Sequence, residues 1–287
     1  MDKEFLYEML KTDSVSGNEI KLQKKILKHY QNVADQQLTD ETGNVIQVIN
    51  PQSPLKILLS GHSDEIGLVI TGITSDGYLK VAQAGGIYPS TYLGHPICVH
   101  TANKEVYGSV VCTRALAKNK DLTSHDLTID IGCSNKEEAQ ELVSIGDTIT
   151  FDTQVRLMAN DKFTARAIDD RGGAFIILEA MKKAKAMGCK NGVYASTSVG
   201  EETTMRGAYF SASRVEPTMA IIVDVTYASD YPGVNPYDSG DVQLGKGPVL
   251  CMSSIVSKKM NEKMKEIAKK IGISYQIETF VGRTGTD

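Results

Sequence analysis

The chain has 287 residues, 41% of them hydrophobic and 23% charged, with a formal net charge of −4. These values exclude a disordered polypeptide and suit one large domain or two smaller ones. Lysines are spread along the sequence and no apolar stretch approaches the roughly 18 residues of a membrane span, so neither nucleic acid nor a membrane is expected as a partner. Five cysteines (Cys98, Cys112, Cys133, Cys189, Cys251) lack C-x-x-C spacing. They read as reduced structural thiols, not as a disulfide framework or a thiolate zinc site. With a mixed-charge N-terminus that has no apolar signal core, the expected location is the cytoplasm.

The first amphipathic segment runs from Asp2 to Lys11, and Ser16-Gly17-Asn18 reads as a turn and cap before a second helix with Ile20, Ile26, Leu27 and Tyr30 on its apolar face. Asn44–Ile49 and the apolar run Leu55–Leu59 are predicted strands, the second buried and ending at Gly61-His62. From about Leu68 to Phe163 the pattern changes to short alternating runs: Tyr78–Val81, Ile97–His100, Glu105–Val111, Leu127–Ile131 and Thr148–Val155, with a helix near Lys136–Val143. Closely spaced strands of this kind predict a small β-barrel or sandwich. A helix over Ala174–Met187, stopped near Gly188, restores the α/β rhythm. Strands Val193–Val199 and Met219–Val223 follow, then a helix carrying Met260, Met264, Ile267 and Ile271, and the alternating run Ile273–Thr279. The whole predicts a layered α/β domain over 1–67 and 164–287, split by a β-rich insertion over 68–163.

The candidate chemistry sits at element ends. His62, Asp64 and Glu65 follow the buried strand, and ligands in layered α/β domains bind at the carboxyl ends of strands. Asp169-Asp170 stand before Arg171 and two glycines at a helix entry, a position that helix capping also explains. Glu201-Glu202 close the strand GVYASTSV before the helical stretch MRGAYF, and adjacent carboxylates repel unless a cation lies between them. Asp224 ends an apolar run, where a carboxylate needs a cation or several donors. A dinuclear metal site accounts for all of them, and the oxygen-and-nitrogen donor set fits zinc, cobalt or manganese.

The segments GHSDEIG, AIDDRGG, SVGEETTMRGA and AIIVDVTYASDYPG, in this order, resemble the metal-binding motifs of the glutamyl aminopeptidase family, tetrahedral dinuclear metalloaminopeptidases whose members are sometimes called endoglucanases. LTIDIGCSNKEEA, SIGDTITF and LGKGP extend the likeness over nearly the whole chain. The resemblance implies an α/β/α zinc-exopeptidase-like catalytic domain interrupted by a PDZ-like β-barrel that serves oligomerisation. It implies two divalent ions, zinc or cobalt with manganese also fitting. His62 and Asp224 would bind one ion, Asp169 would bridge, and Glu202 would bind the second. Glu201 would be the general base that deprotonates a bridging water, and Asp64 the supporting carboxylate that orients His62. Short peptides would be the substrates and a twelve-subunit homo-oligomer the assembly.

Two features depart from the family. Gly200 stands where a glutamine usually precedes the glutamate pair. Members also continue beyond the stretch like VGRTGTD to a histidine that binds metal beside Glu202, whereas this chain stops at Asp287. His29, His95, His100 and His125 read as surface or packing residues, so the expectation is a truncated chain or one under-ligated metal position. Two alternatives are a glycoside hydrolase and a metal-binding fragment without turnover. The first needs only paired carboxylates, leaves His62 unexplained, and finds no tryptophan for a sugar platform.

Overall fold

The computed structural model describes residues 1–282 and 285–287. The chain forms two compact units, Met1–Asp224 together with Asp287, and Val225–Thr286.

The first unit opens with α1 (Lys3–Lys11) and α2 (Ile20–Tyr30). Asp2 caps α1 by accepting the Phe5 N–H at 3.1 Å. In α2 the buried stripe is Leu22, Ile26 and Tyr30, while Ile20, predicted to share it, is exposed. Two residues before Leu22 is roughly 200° around the helix, which turns Ile20 to the opposite face.

Strands β1 (Gln36–Thr39), β2 (Val45–Ile49) and β3 (Lys56–His62) follow. The chain then enters a closed barrel of β4 (Gly67–Ile73), β5 (Leu79–Ala84), β6 (Pro96–His100), β7 (Glu105–Val110), helix α3 (Arg114–Lys118), β8 (Thr128–Asp130), helix α4 (Lys136–Leu142) and β9 (Thr148–Phe151). The barrel order is β4-β5-β8-β7-β6-β9, antiparallel throughout. Alternating residues such as Leu68, Ile70, Ile97, Val99 and Ile149 fill its interior. The strand predicted to reach Val155 stops at Phe151, because its partners β4 and β6 pair only with Thr148–Phe151.

After the short pair β10 (Arg156–Leu157) and β11 (Phe163–Thr164) come α5 (Ile168–Ala186), β12 (Gly192–Ser198), α6 (Glu201–Thr204), α7 (Arg206–Val215) and β13 (Met219–Ile222). The central sheet has the order β1-β2-β12-β3-β13, with β12, β3 and β13 parallel. Residues of α1, α2 and α5 pack on one face, through Met9, Ile26, Tyr30 and Leu178 among others. Val215 of α7 joins Ile46, Val48, Leu58 and Tyr194 on the other. The result is a mixed α/β layered fold with a barrel, as the sequence predicted.

The second unit contains β14 (Val249–Ser253), α8 (Lys258–Ile271) and β15 (Gln276–Phe280), with the two strands parallel and joined through the helix. The strand foreseen from Ile273 begins at Gln276, because Ile273 N–H bonds back to Ala268 in the helix C-cap. Arg283 and Thr284 of the VGRTGTD stretch lie outside the described residues. No helix among the described residues is long and apolar enough to cross a membrane.

Candidate metal centre

Three neighbouring parallel strands end on one edge of the central sheet. Ser198 of β12 is in register with His62 of β3, and Ile222 of β13 is in register with Ser60. The residues just past those ends, Glu201 and Asp224, therefore arrive beside His62. The start of α5 supplies Asp169 and Asp170, whose torsions depart from the helix. Gly61 permits this approach, since a Cβ there would lie 2.8 Å from the Ala174 nitrogen.

The His62 ring is buried, with Nε2 3.0 Å from Asp169 Oδ1, 3.7 Å from Glu201 Oε2 and 4.0 Å from Asp224 Oδ1. Its Nδ1 faces the Asp64 carbonyl at 3.2 Å and Asp64 Oδ1 at 3.5 Å. Asp64 is completely buried and accepts the backbone N–H groups of Glu201 at 3.0 Å and Glu202 at 3.1 Å. One carboxylate thus ties the histidine to the glutamate pair. Burial disfavours the His62 cation, but hydrogen bonds to Asp169 and Asp64 outweigh it and push the imidazole up to about 12.

The acids move the other way. Burial, helped by Asp224, Asp287 and Asp64 and opposed by His62, raises Glu201 to about 7. Burial and then Asp169 raise Glu202 to about 8, and burial and then Asp224 raise Asp170 to about 9. Glu201 Oε1 is buried with no hydrogen-bond partner among the described residues. Carboxylates forced toward protonation around one imidazole form a site short of positive charge, which is what bound cations supply. His62, Asp169 and Asp224 each offer a ligand atom, all within 4.8 Å of one another. The donors present therefore fit a metal. Of the predicted site residues, His62, Asp169, Asp224 and Glu201 are brought together with Asp64 behind them. Glu202 stands outside the close triad but feels Asp169 electrostatically.

Other acids were not assigned from sequence. Asp170 accepts His62 N–H at 3.2 Å and Gly173 N–H at 3.0 Å, so the capping explanation of the doublet applies to its second member. Glu19 is buried and accepts the N–H groups of Gly17 at 2.8 Å and Gly200 at 3.1 Å. Asp287 Oδ2 accepts Ser198 Oγ at 2.5 Å and Ser60 Oγ at 3.2 Å, and its Oδ1 is buried without a hydrogen-bond partner among the described residues. Position 200 has φ +66°, and an added Cβ would lie 2.8 Å from the Arg206 guanidinium carbon. Glycine suits that left-handed backbone and the close arginine together.

The family model for M42 glutamyl aminopeptidase matches residues 43–287. This chain belongs to the M42 glutamyl aminopeptidase family. Lysyl aminopeptidase of Pyrococcus furiosus is 31% identical to this M42 chain, over 100% of it and 84% of the relative. Among solved structures, a TET aminopeptidase from a marine sediment Thaumarchaeota archaeon has a TM-score of 0.91 at 30% identity, covering 99% of this chain and 82% of that one. The Pyrococcus horikoshii TET1 peptidase has a TM-score of 0.87 at 32% identity, covering 99% and 86%. The M42 match takes in His62, Asp64, Asp169, Glu201, Glu202 and Asp224 together.

Proposed function

We propose that this M42 chain is a metal-dependent aminopeptidase that releases N-terminal residues from short peptides. The observation that carries the reading is the cluster of acids about His62, the buried Asp64, Asp170 and Glu201 among them, with a Glu201 oxygen that has no donor among the described residues. His62, Asp224, Asp169 and Glu202 would hold the two divalent ions. Zinc or cobalt fits the donors, as does manganese. When bound, such ions polarise a carbonyl and make a nearby water acidic.

The protein's own groups supply the rest. Glu201 accepts a proton from the attacking water and returns it to the leaving amine. Asp64 fixes the His62 ring through Nδ1 and holds the backbone of Glu201 in place. The catalytic domain comprises 1–67 and 164–287, and the β-rich segment 68–163 mediates self-association in the cytoplasm. The Pyrococcus horikoshii TET1 peptidase is described as assembling into a tetrahedron or a large octahedral shell, and the PhTET1-12s structure as a dodecamer, which supports a homo-oligomer, with twelve subunits expected.

The test is a panel of free and N-acetylated short peptides incubated with the protein and zinc, cobalt or manganese. Sequential release of single residues from free N-termini is expected, with acetylated peptides intact. Equal cleavage of acetylated peptides, or release of reducing sugar from a glucan by metal-free protein, contradicts the proposal.

A further inference from the structure

A second cluster of metal-binding side chains lies on the barrel. Cys98 and His100 are two apart on β6, so both project from the same face of that strand, opposite Ile97 and Val99 in the barrel core. Glu105 of β7 is the cross-strand partner of His100. Cys98, His100 and Glu105 each offer a ligand atom, and these atoms lie within 4.8 Å of one another. Cys98 and His100 are buried and Glu105 is exposed, which leaves the cluster a route to solvent.

The orientation of the histidine favours coordination. Its Nε2 pairs with Thr150 Oγ1 at 2.8 Å, from the adjacent strand β9, so Nδ1 is the nitrogen left facing the cluster. That Nδ1 is 4.0 Å from Cys98 Sγ and 3.7 Å from Asp13 Oδ1. Tetrahedral zinc bonds of about 2.0–2.3 Å place ligand atoms roughly 3.3–3.7 Å apart, so the two Nδ1 distances are already at or within a few tenths of an ångström of that range, while Glu105, whose side chain is exposed, moves in to complete the cage. The cluster already attracts a cation. Lys21 Nζ donates to Asp13 Oδ1 at 2.5 Å and lies 3.9 Å from Glu105 Oε1, on a side chain 53% exposed that can withdraw into water.

We propose that Cys98, His100 and Glu105, with Asp13 as the fourth donor, form a second metal site on the barrel wall that takes zinc, with Thr150 holding the histidine in register and Lys21 competing for the acids. A thiolate, an imidazole and carboxylates match zinc and its cobalt substitute better than magnesium or calcium. The donor spacing Cys98-x-His100 falls outside the C-x-x-C pattern, so it gave no signal in the sequence.

The thiolate separates this site from the centre at His62, whose donors are all oxygen and nitrogen. The experiment titrates the full-length, chelator-treated protein with cobalt(II) and follows the thiolate-to-cobalt charge-transfer band in the near ultraviolet. The band is expected to develop fully once all the proposed sites are filled, with an intensity of one thiolate-bound cobalt per chain, and zinc to abolish it. Cys98→Ser removes it, whereas Cys251→Ser leaves it unchanged. Glu105→Ala weakens cobalt binding at this site at least tenfold with peptidase activity retained, and Thr150→Val weakens it by about 10- to 100-fold. Lys21→Met strengthens it. Absence of the band in the wild-type protein at saturating cobalt, or its survival in Cys98→Ser, overturns the proposal. Should Cys98→Ser not fold, unchanged cobalt affinity in Glu105→Ala, which alters an exposed side chain, does the same.

Discussion

Asp64 and Glu65 are neighbours in the chain, both are buried and both are held below the usual carboxylate range by a cationic partner, yet the acids around them differ. Glu65 is met by the guanidinium groups of Arg166 and Arg171, the latter 2.6 Å away and itself completely buried. Ser14 N–H adds a hydrogen bond at 3.1 Å, and Arg171 is further held by the carbonyl of Met9 at 2.8 Å and the Ser14 hydroxyl at 2.6 Å. Although burial opposes it, this pairing keeps the Glu65 carboxyl below its usual range. On the Asp64 side, Glu201, Glu202 and Asp170 are all raised, with burial as the first cause. The fold therefore carries its own cations where an acid is structural. Where the acids surround His62, the proposed metal ions would complete the balance.

The sharpest way to break this contrast is to treat both regions alike. Glu201→Gln should reduce peptide turnover by about 10²- to 10⁴-fold while bound metal, measured by elemental analysis, is unchanged. Undiminished turnover would remove Glu201 from the base role. On the structural side, Arg171→Met leaves Glu65 buried beside Arg166 alone and should cost about 3–5 kcal/mol in denaturant unfolding, with little change in kcat for the molecules that remain folded. Stability equal to wild type would show that Arg171 is not what compensates Glu65.

A smaller effect is expected at the join. Asp64→Asn keeps the shape of the side chain but weakens its hold on His62, and should lower metal affinity by about 10- to 100-fold. An affinity like that of the wild type would mean that the backbone carbonyl at 3.2 Å alone orients the ring.

The least drastic test is pH. Glu65 has a lowered native pKa, so its contribution is present above the unfolded value near 4.5 and is lost as pH falls through the native one. Glu201, Glu202 and Asp170 have native values of about 7, 8 and 9 against 4.5, 4.5 and 3.8 unfolded. Their native state binds more protons, so their contribution is present at low pH and is lost as pH rises through those values. His62, at about 12 against 6.5, has the same sign. Chelated protein should lose stability as pH rises from about 4.5 to about 9, with His62 continuing the fall above that, and zinc should flatten or reverse that slope. A slope unaffected by zinc would separate the acids from the metal.

Much of this contrast was legible in the sequence on one side only. The apolar run Leu55–Leu59 ending in Gly61-His62, and the run Met219–Val223 ending in Asp224, announced the strand ends that carry the centre, because burial leaves a clear composition. Glu201-Glu202 stood out for the same reason. The compensated side gave no comparable signal: Arg171 is 106 residues from Glu65, and nothing local marks an arginine as buried. Asp170 was read with its neighbour as one doublet, although the two side chains part, one toward His62 Nε2 and one under the strand backbone. Strand β14 and the short α3 were also missed, since neither has enough alternation or length to show a period.

The central claim is that the acids around His62 hold two divalent cations. The most direct measurement is elemental analysis of Cys98→Ser protein, which lacks the thiolate of the barrel cluster, after zinc loading and exhaustive dialysis. The account predicts two zinc ions per chain, falling in Asp169→Asn. A count of one or none in the Asp169-containing protein would contradict it.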